Sequence, residues 1–340
     1  MVKCAKVERQ NADKALQEIK KIGLFENKYR IERDENFVYI PLKEIVDRFT
    51  ILAERHIDIV EMELERSFER PKHYSELLSL PPEIKAKLPS SFDIVGDIAI
   101  IKLVEIIKPY EKEIGNALIK AHPSIKTVLA DEGVEGDFRV RKVRFVAGEK
   151  KTITLHKEYG LVFEVDLAKV YFSPRLANER QFVCSEIVSP SVVIDMFAGI
   201  GPFSITIAKK HPEASVYAID KNPDAYTLLL KNIARNHIKN VFPACGDAVA
   251  EIQKLPDADY IIMNLPHSAE KFLLDAIKKL KKNGKIFLYT ICERTEIEKK
   301  AEEIKRNVRG EGMESSVEYH EVHTYSPTSS VFGLVIRVSS

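Results

Sequence analysis

Tryptophan is absent, cysteine is scarce and long apolar runs do not occur. The four cysteines, Cys4, Cys184, Cys245 and Cys292, stand far apart with no Cys-X-X-Cys pair, which excludes a disulfide framework or a zinc ribbon. The most apolar stretch, Asp93 to Ile107, is interrupted by Gly96, Asp97, Lys102 and Glu105. Nothing approaches the roughly 18 apolar residues of a membrane span. Met1 to Lys14 carries scattered charge and no apolar centre, unlike a secretory signal. An excess of either charge is also missing: 52 Lys and Arg face 51 Asp and Glu, a net charge of +1. That balance excludes a polycationic coat for nucleic acid, although phosphate needs only a local basic surface. The expectation is a soluble, reduced, cytoplasmic protein. The absence of tryptophan beside abundant Lys and Glu would suit a thermophile.

What is present is length and alternation. The 340 residues, at roughly 150 per domain, predict two domains or three small ones. In the first segment Ala12 to Ile22 has helical spacing, Phe37 to Ile40 reads as a strand closed by Pro41, and Ile57 to Leu64 alternates like a strand. A stretch with Pro71, Pro81, Pro82 and Pro89 reads as a linker around a short helix. In the middle segment Asp93 to Leu103 and Phe138 to Val146 read as strands, and Tyr110 to Ala121 as a helix ending before Pro123.

From about Ser185 strands and helices alternate. Strands are expected at Val192–Phe197, Val216–Ile219, Val241–Cys245, Tyr260–Met263 and Lys285–Thr290. Helices are expected at Pro202–Lys210, Asn222–Asn236, Ser268–Lys281 and Glu293–Asn307. This is the pattern of a parallel sheet covered on both faces. Ser316–His323 and Val331–Val338, joined by a turn at Pro327, predict a terminal antiparallel hairpin.

The most informative stretch runs from Val192 through Asp195, Gly199 and Gly201 to Ser204. A strand delivers an acid, then a glycine turn, then a helix opening at Pro202. A dinucleotide site would carry a third glycine where Phe203 and Ser204 stand. Asp195 instead suits a ligand with a cationic amino-acid end, and S-adenosylmethionine is such a ligand. Asp220 ends the second strand, where a carboxylate can accept from ribose hydroxyls. Asp247 follows the third, where it can accept from an adenine amine. Any one strand-end acid could simply cap the next helix; three in order with the glycine turn point to the cofactor. The fourth strand ends in Asn264-Leu-Pro266, at the crevice where open α/β sheets bind ligands. Leu265 and His267 depart from the Asn-Pro-Pro-aromatic turn of enzymes that methylate exocyclic amines.

Between residues 136 and 181 ten Lys and Arg face six Asp and Glu, a plausible phosphate footprint. Arg141, Arg144, Lys157 and Arg175 are its candidate RNA contacts, and Tyr171 and Phe172 add stacking surfaces. His320 and His323 have metal-pair spacing, but strand alternation would turn them to opposite sides. No metal site is expected. His156 reads as a histidine satisfied beside a sheet, Cys184 and Cys245 as small core residues.

The chain resembles the archaeal and eukaryotic tRNA (guanine-N(1)-)-methyltransferases that modify the guanosine 3′ of the anticodon. The resemblance rests on Asp93-Ile-Val-Gly-Asp97, Phe138-Arg-Val-Arg141, Thr154-Leu-His-Lys157, Val170-Tyr-Phe-Ser-Pro-Arg175, Glu179-Arg180, Asp195-Met-Phe-Ala-Gly199 and Asn264-Leu-Pro266. It implies an α/β fold: a Rossmann-like methyltransferase domain with a C-terminal antiparallel hairpin over 166–340, preceded by two smaller α+β domains. These would be a tRNA-recognition domain over 1–66 and an RNA-binding domain over 67–165. It implies Glu179 as general base, Arg139 at guanine O6, and Tyr171 and Asn264 framing the base. It implies a cofactor site of Arg180, Asp195, Asp220, Asp247 and Asn264, with Phe197, Gly199, Gly201, Lys221 and Ala248 beside them. His323 and Thr328 stand where relatives carry Lys or Arg.

The chemistry is consistent with those roles. Guanine N1 is protonated at neutral pH and must lose its proton as it attacks the sulfonium methyl, which a carboxylate can accept. Charge then moves onto O6, where a guanidinium stabilises it. The base must be flipped out to reach the site. The expected partners are tRNA and S-adenosylmethionine, without a membrane, for a monomer. Rival readings are a wyosine-pathway aminocarboxypropyltransferase, a bifunctional wyosine-precursor methyltransferase, and a non-catalytic tRNA-binding protein.

Overall fold

The computed structural model describes residues 1–43, 52, 57–66, 73–136, 138 and 140–339. They form two compact units, Met1–Glu76 and Leu77–Ser340. In the first, β1 (Val2–Glu8), β2 (Glu32–Arg33), β3 (Phe37–Pro41) and β4 (Asp58–Met62) make an antiparallel sheet in the order β2-β3-β1-β4. The helix α1 (Ala12–Lys21) contributes Ala15 and Ile19 to a core with Ala5, Val7, Leu24, Val38 and Ile40. Strand β1 was not legible in the sequence, because Lys3 and Lys6 interrupt its apolar residues.

The second unit opens with a single-turn helix, α2 (Pro82–Lys85). A four-stranded sheet follows in the order β5 (Asp93–Val95), β6 (Ile98–Ile101), β7 (Thr127–Glu135), β8 (Val140–Gly148), with α3 (Glu111–Ala121) packed on it. The single strand expected over Asp93 to Leu103 is therefore a hairpin. It turns at Gly96, whose φ is 57°. A Cβ there would stand 2.1 Å from Thr154 Oγ1. Asp97 beside it donates its N–H to that hydroxyl at 3.1 Å and accepts from it at 2.7 Å. The hairpin β9 (Ile153–Glu158) and β10 (Leu161–Asp166) leads on to the large sheet.

That sheet has seven strands in the order β13-β12-β11-β14-β15-β17-β16. Strands β11 (Val192–Asp195), β12 (Ser215–Asp220), β13 (Val241–Cys245), β14 (Ala258–Met263) and β15 (Leu280–Glu293) run parallel. Strands β16 (Glu314–Thr324) and β17 (Ser329–Ser339) form the expected antiparallel hairpin, with β17 inserted beside β15.

Alternation along the strands fills two cores. Val193, Ile262, Phe287 and Val335 face α4 (Ala177–Glu186), α5 (Pro202–Lys210) and α6 (Pro223–Arg235). Ile194, Met263, Leu288 and Leu334 face α7 (Ala248–Ile252), α8 (Leu273–Lys278) and α9 (Ile297–Gly310). Helices on both faces of a mainly parallel sheet define the Rossmann-like fold. The first core continues through Ile98, Ile100 and Leu129 of the four-stranded sheet. The helix expected over Ser268 to Lys281 is shorter: a 3₁₀ turn at Ala269–Phe272 precedes α8, and Leu280 already begins β15. Cys184 is buried as expected, whereas Cys245 is exposed because β13 is an edge strand.

Candidate active site

Strand order reverses between β11 and β14, and beyond their carboxyl ends opens a cavity of about 350 Å³. Such switch points are where open α/β sheets bind ligands. The cavity brings together Tyr171, Arg180, Phe197, Gly199, Asp220, Lys221, Asp247, Ala248 and Asn264. Glu179, Asp195 and Gly201 are not on its wall.

The glycine turn is built by left-handed backbone at Gly199 and Gly201, with φ of 57° and 90°. A Cβ at Gly201 would meet Leu229 Cδ1 at 2.4 Å, so this glycine lets α5 pack on α6. Among the described residues, a Cβ at Gly199 would meet no atom within 4 Å and would project into open space. The two glycines thus do different work, one for packing and one for access.

Asp195 lies buried at the end of β11. Ser204 Oγ donates to its Oδ2 at 2.7 Å, while Oδ1 has no partner among the described residues. Burial pushes its carboxyl up to about 7, against the opposing hydrogen bonds from Ser204 and the Phe197 backbone. Asn264 Oδ1, on the cavity wall, is a second buried acceptor without a partner among the described residues. Orphaned acceptors of this kind are costly unless a donor arrives.

Asp220 accepts from the Gly199 N–H at 2.6 Å and the Asn222 N–H at 2.8 Å, and burial raises its carboxyl. Asp247 caps α7 by accepting from the Val249 N–H at 3.1 Å and lies 3.7 Å from Lys221. Cap and ligand acceptor are compatible roles, because a carboxylate has about four lone-pair sites. Two orphaned acceptors, two rim acids and an open glycine fit a ligand with an ammonium end, a ribose and an amine-bearing base. S-adenosylmethionine is such a ligand.

Arg180 is 1% exposed and lines the cavity with its charge already paired. Its Nε donates to Glu158 at 2.7 Å, and its guanidinium lies over the rings of Phe172 and Phe203. It organises the wall rather than presenting a bare charge. Tyr171, 47% exposed, and Phe138 flank the opening.

Glu179 is 7% exposed and lines, from the same helix, a second hollow of about 520 Å³ together with Arg175, Phe182 and His320. Tyr289 Oη donates to its Oε1 at 2.8 Å, and His320 Nε2 lies 2.9 Å from Oε2. Sequence reasoning missed both partners. No spacing signals them, since they stand on separate strands. Arg139 lies outside the described residues. A bulge between Glu321 and His323 also breaks the alternation that would place His320 and His323 on opposite sides. His320 lines the Arg175 hollow, and burial and then the Arg175 guanidinium hold His323 below the ordinary imidazole value.

Of the four candidate RNA contacts, three have intramolecular partners. Arg141 lies 3.4 Å from Asp93 and 3.8 Å from Asp131, Arg144 pairs with Glu111 and Glu132 at 2.7 Å each, and Arg175 pairs with Asp93 at 2.8 Å. Lys157 is exposed. His156 accepts from the Gly96 N–H at 3.2 Å and packs edge-on against Phe172, the satisfied histidine the sequence suggested. No helix among the described residues is long and apolar enough to cross a membrane.

The TRM5/TYW2 methyltransferase domain family matches residues 154–316, the TYW2 N-terminal domain family 74–152, and the tRNA methyltransferase 5 N-terminal domain family 4–50. The chain is 44% identical over 269 residues to the tRNA (guanine(37)-N(1))-methyltransferase Trm5b of Pyrococcus abyssi, covering 79% of this chain and 78% of that one. It is 33% identical over 345 residues to the Methanocaldococcus jannaschii Trm5b, covering 99% and 98%. Among solved structures, the complex of aTrm5 with tRNALeu superimposes with a TM-score of 0.74 at 32% identity, covering 98% of this chain and 99% of that one. M. jannaschii TYW2 in complex with AdoMet superimposes with a TM-score of 0.57 at 28% identity, covering 73% and 99%.

Proposed function

We propose, for a chain that belongs to the archaeal tRNA (guanine(37)-N(1))-methyltransferase family, that it methylates N1 of the guanosine 3′ of the anticodon, giving 1-methylguanosine. The observation that carries the reading is the cavity itself: Asp220, Asp247 and the orphaned Asn264 Oδ1 line it with the open glycine turn, and the buried, orphaned Asp195 ends the strand that leads to that turn. S-adenosylmethionine, when bound, supplies an electrophilic methyl on a sulfonium. Asp195 and Asn264 would hold its ammonium end, Asp220 its ribose and Asp247 its adenine amine. Phe197, Gly199, Gly201, Lys221 and Ala248 shape the site, and Arg180 fixes its wall.

The remaining roles belong to the tRNA. Glu179 takes the N1 proton from the flipped guanine, Arg139 stabilises charge on O6, and Tyr171 and Asn264 frame the base. Arg141, Arg144, Lys157 and Arg175 face phosphate, with the ion pairs of the three arginines opening as tRNA binds. We assign a recognition domain to 1–66, a middle domain to 67–165 and a methyltransferase domain to 166–340. We assign the cytoplasm and a monomeric state to this enzyme.

Wyosine-pathway chemistry on the same scaffold is the second reading. The TYW2 neighbour covers only 73% of this chain, whereas the Trm5b relative covers 99%. Substituting Glu179→Gln tests the base directly. Affinity for cofactor and tRNA stays within about twofold, while single-turnover transfer falls by roughly 10²–10⁴. Unchanged transfer in that variant removes Glu179 from the role.

A further inference from the structure

Glu179 is met by a rung that crosses three strands. Tyr289 on β15 is registered against Gly333 on β17, and Gly333 against His320 on β16. The carboxylate of Glu179 lies over the glycine. A Cβ at Gly333 would come 2.8 Å from the His320 ring and 3.1 Å from Glu179 Oε1. On either side of that gap Tyr289 donates to Oε1, and His320 Nε2 approaches both oxygens at 3.1 and 2.9 Å.

The three partners differ in what they can do with a proton. The Tyr289 phenol is buried, and its pKa is held well above the ordinary value by burial and by the Glu179 charge, so it stays a fixed donor. Arg180, next on the helix, is committed to Glu158. His320 alone among these contacts carries an imidazole, the group whose ordinary value lies nearest neutrality. Its side chain is 37% exposed against 7% for that of Glu179, so it leads from the buried carboxylate to water.

We propose that His320 is the second proton site of methyl transfer. Glu179 accepts the N1 proton, hands it to His320 Nε2, and the imidazolium loses a proton to solvent, which restores the carboxylate for the next turnover. The balance is complete: N1 gains a methyl and loses a proton, the sulfonium becomes a thioether, and the proton ends in water. The inference rests on Glu179 being the base. Without an outlet a buried carboxylic acid would have to reionise in place.

The groups facing the pair are Arg175 and Phe182 from the α4 side, Tyr289 from β15, Gly333 and Val335 from β17, and Glu318 and Glu321 from β16 itself. Glu321 is occupied by Arg294 and Ser330, and Arg175 by Asp93. The hydrogen bond to Glu179 raises the His320 pKa. A proton can be handed on only when His320 is neutral, so repeated turnover should rise with pH through that raised value and level off above it.

The test is multiple-turnover methyl transfer, between about pH 6 and 9, by the wild type, Glu179→Gln and His320→Gln, with a single turnover of each measured alongside. His320→Gln keeps a polar side chain but cannot titrate in this range. The expected result is about a tenfold or larger loss for His320→Gln at neutral pH, with the wild-type inflection gone and cofactor affinity retained. An inactive Glu179→Gln beside a His320→Gln with the wild-type rate and profile overturns this proposal and leaves the base reading intact. An active Glu179→Gln overturns both. Should His320→Gln not fold, NMR titration of ring-labelled wild type and Glu179→Gln decides. An elevated His320 pKa that falls in Glu179→Gln supports the pair, and the same value in both proteins overturns it.

Discussion

Arg180 and Glu158 are sealed against each other, with side chains 1% and 4% exposed and an Nε–Oε1 distance of 2.7 Å. The pair ties α4, which carries the proposed base and part of the cavity wall, to the hairpin β9–β10. Two further faces of the guanidinium are closed by Phe172 and Phe203. Both charges are almost wholly buried, so each depends on the other.

Breaking that pair is therefore expected to be expensive. Glu158→Gln leaves an uncompensated buried guanidinium, at about 3–5 kcal/mol. Arg180→Lys should lose nearly as much, because a point charge cannot reproduce the planar fork or the ring contacts. Denaturant unfolding of both variants checks this, and a loss within 1 kcal/mol, on the order of a surface pair, would contradict it.

The glycine turn separates packing from binding. Gly201→Ala must both adopt a φ of 90° and displace Leu229, so stability should fall by about 2 kcal/mol or more. Gly199→Ala carries only the backbone strain of about 1–2 kcal/mol, yet should lose cofactor affinity because its methyl enters the cavity. Melting curves with and without S-adenosylmethionine distinguish the two.

Asp195 makes cofactor binding depend on pH. Its carboxyl in the ligand-free protein lies at about 7, so below that value it is neutral and attracts an ammonium weakly. Affinity should rise with pH, by up to about tenfold per unit, and level off above 7. Asp195→Asn should flatten the slope. Without ligand the sign reverses. The folded pKa is raised above the unfolded one, so the stabilisation present below about pH 4 is lost as the pH rises through about 7. Calorimetric titration and ligand-free melting across this window test both directions.

Asp247 combines a helix cap with a proposed adenine contact. Asp247→Ala should cost about 1 kcal/mol of stability for the lost cap. It should also weaken cofactor binding, whereas Asp247→Asn, which still accepts from Val249, should retain the stability. Equal stability loss in both variants would remove the cap from the account.

How much of this was legible in the sequence depends on how local each feature is. The parallel sheet, the glycine turn and the strand-end acids follow from alternation and from residues a few positions apart. The Gly96 hairpin is less plain than it could be: Gly96-Asp97 is a local turn signal, but both arms are apolar and together look like one strand. The rung of Tyr289, Gly333 and His320 was invisible, since its members meet only through strand register and a β-bulge undoes simple alternation beside it. The basic run was legible as charge but not as pairing: Arg141, Arg144 and Arg175 find acids from other elements.

The residues of the site converge on one reaction, methyl transfer to guanosine 37. Purified protein, labelled S-adenosylmethionine and two unmodified tRNA transcripts, one with guanosine and one with adenosine at position 37, followed by nucleoside mass spectrometry, test it most directly. The expected result is 1-methylguanosine from the first transcript and no transfer to the second. Cofactor binding without transfer to either would contradict it and turn attention to matured tRNAs carrying a wyosine precursor.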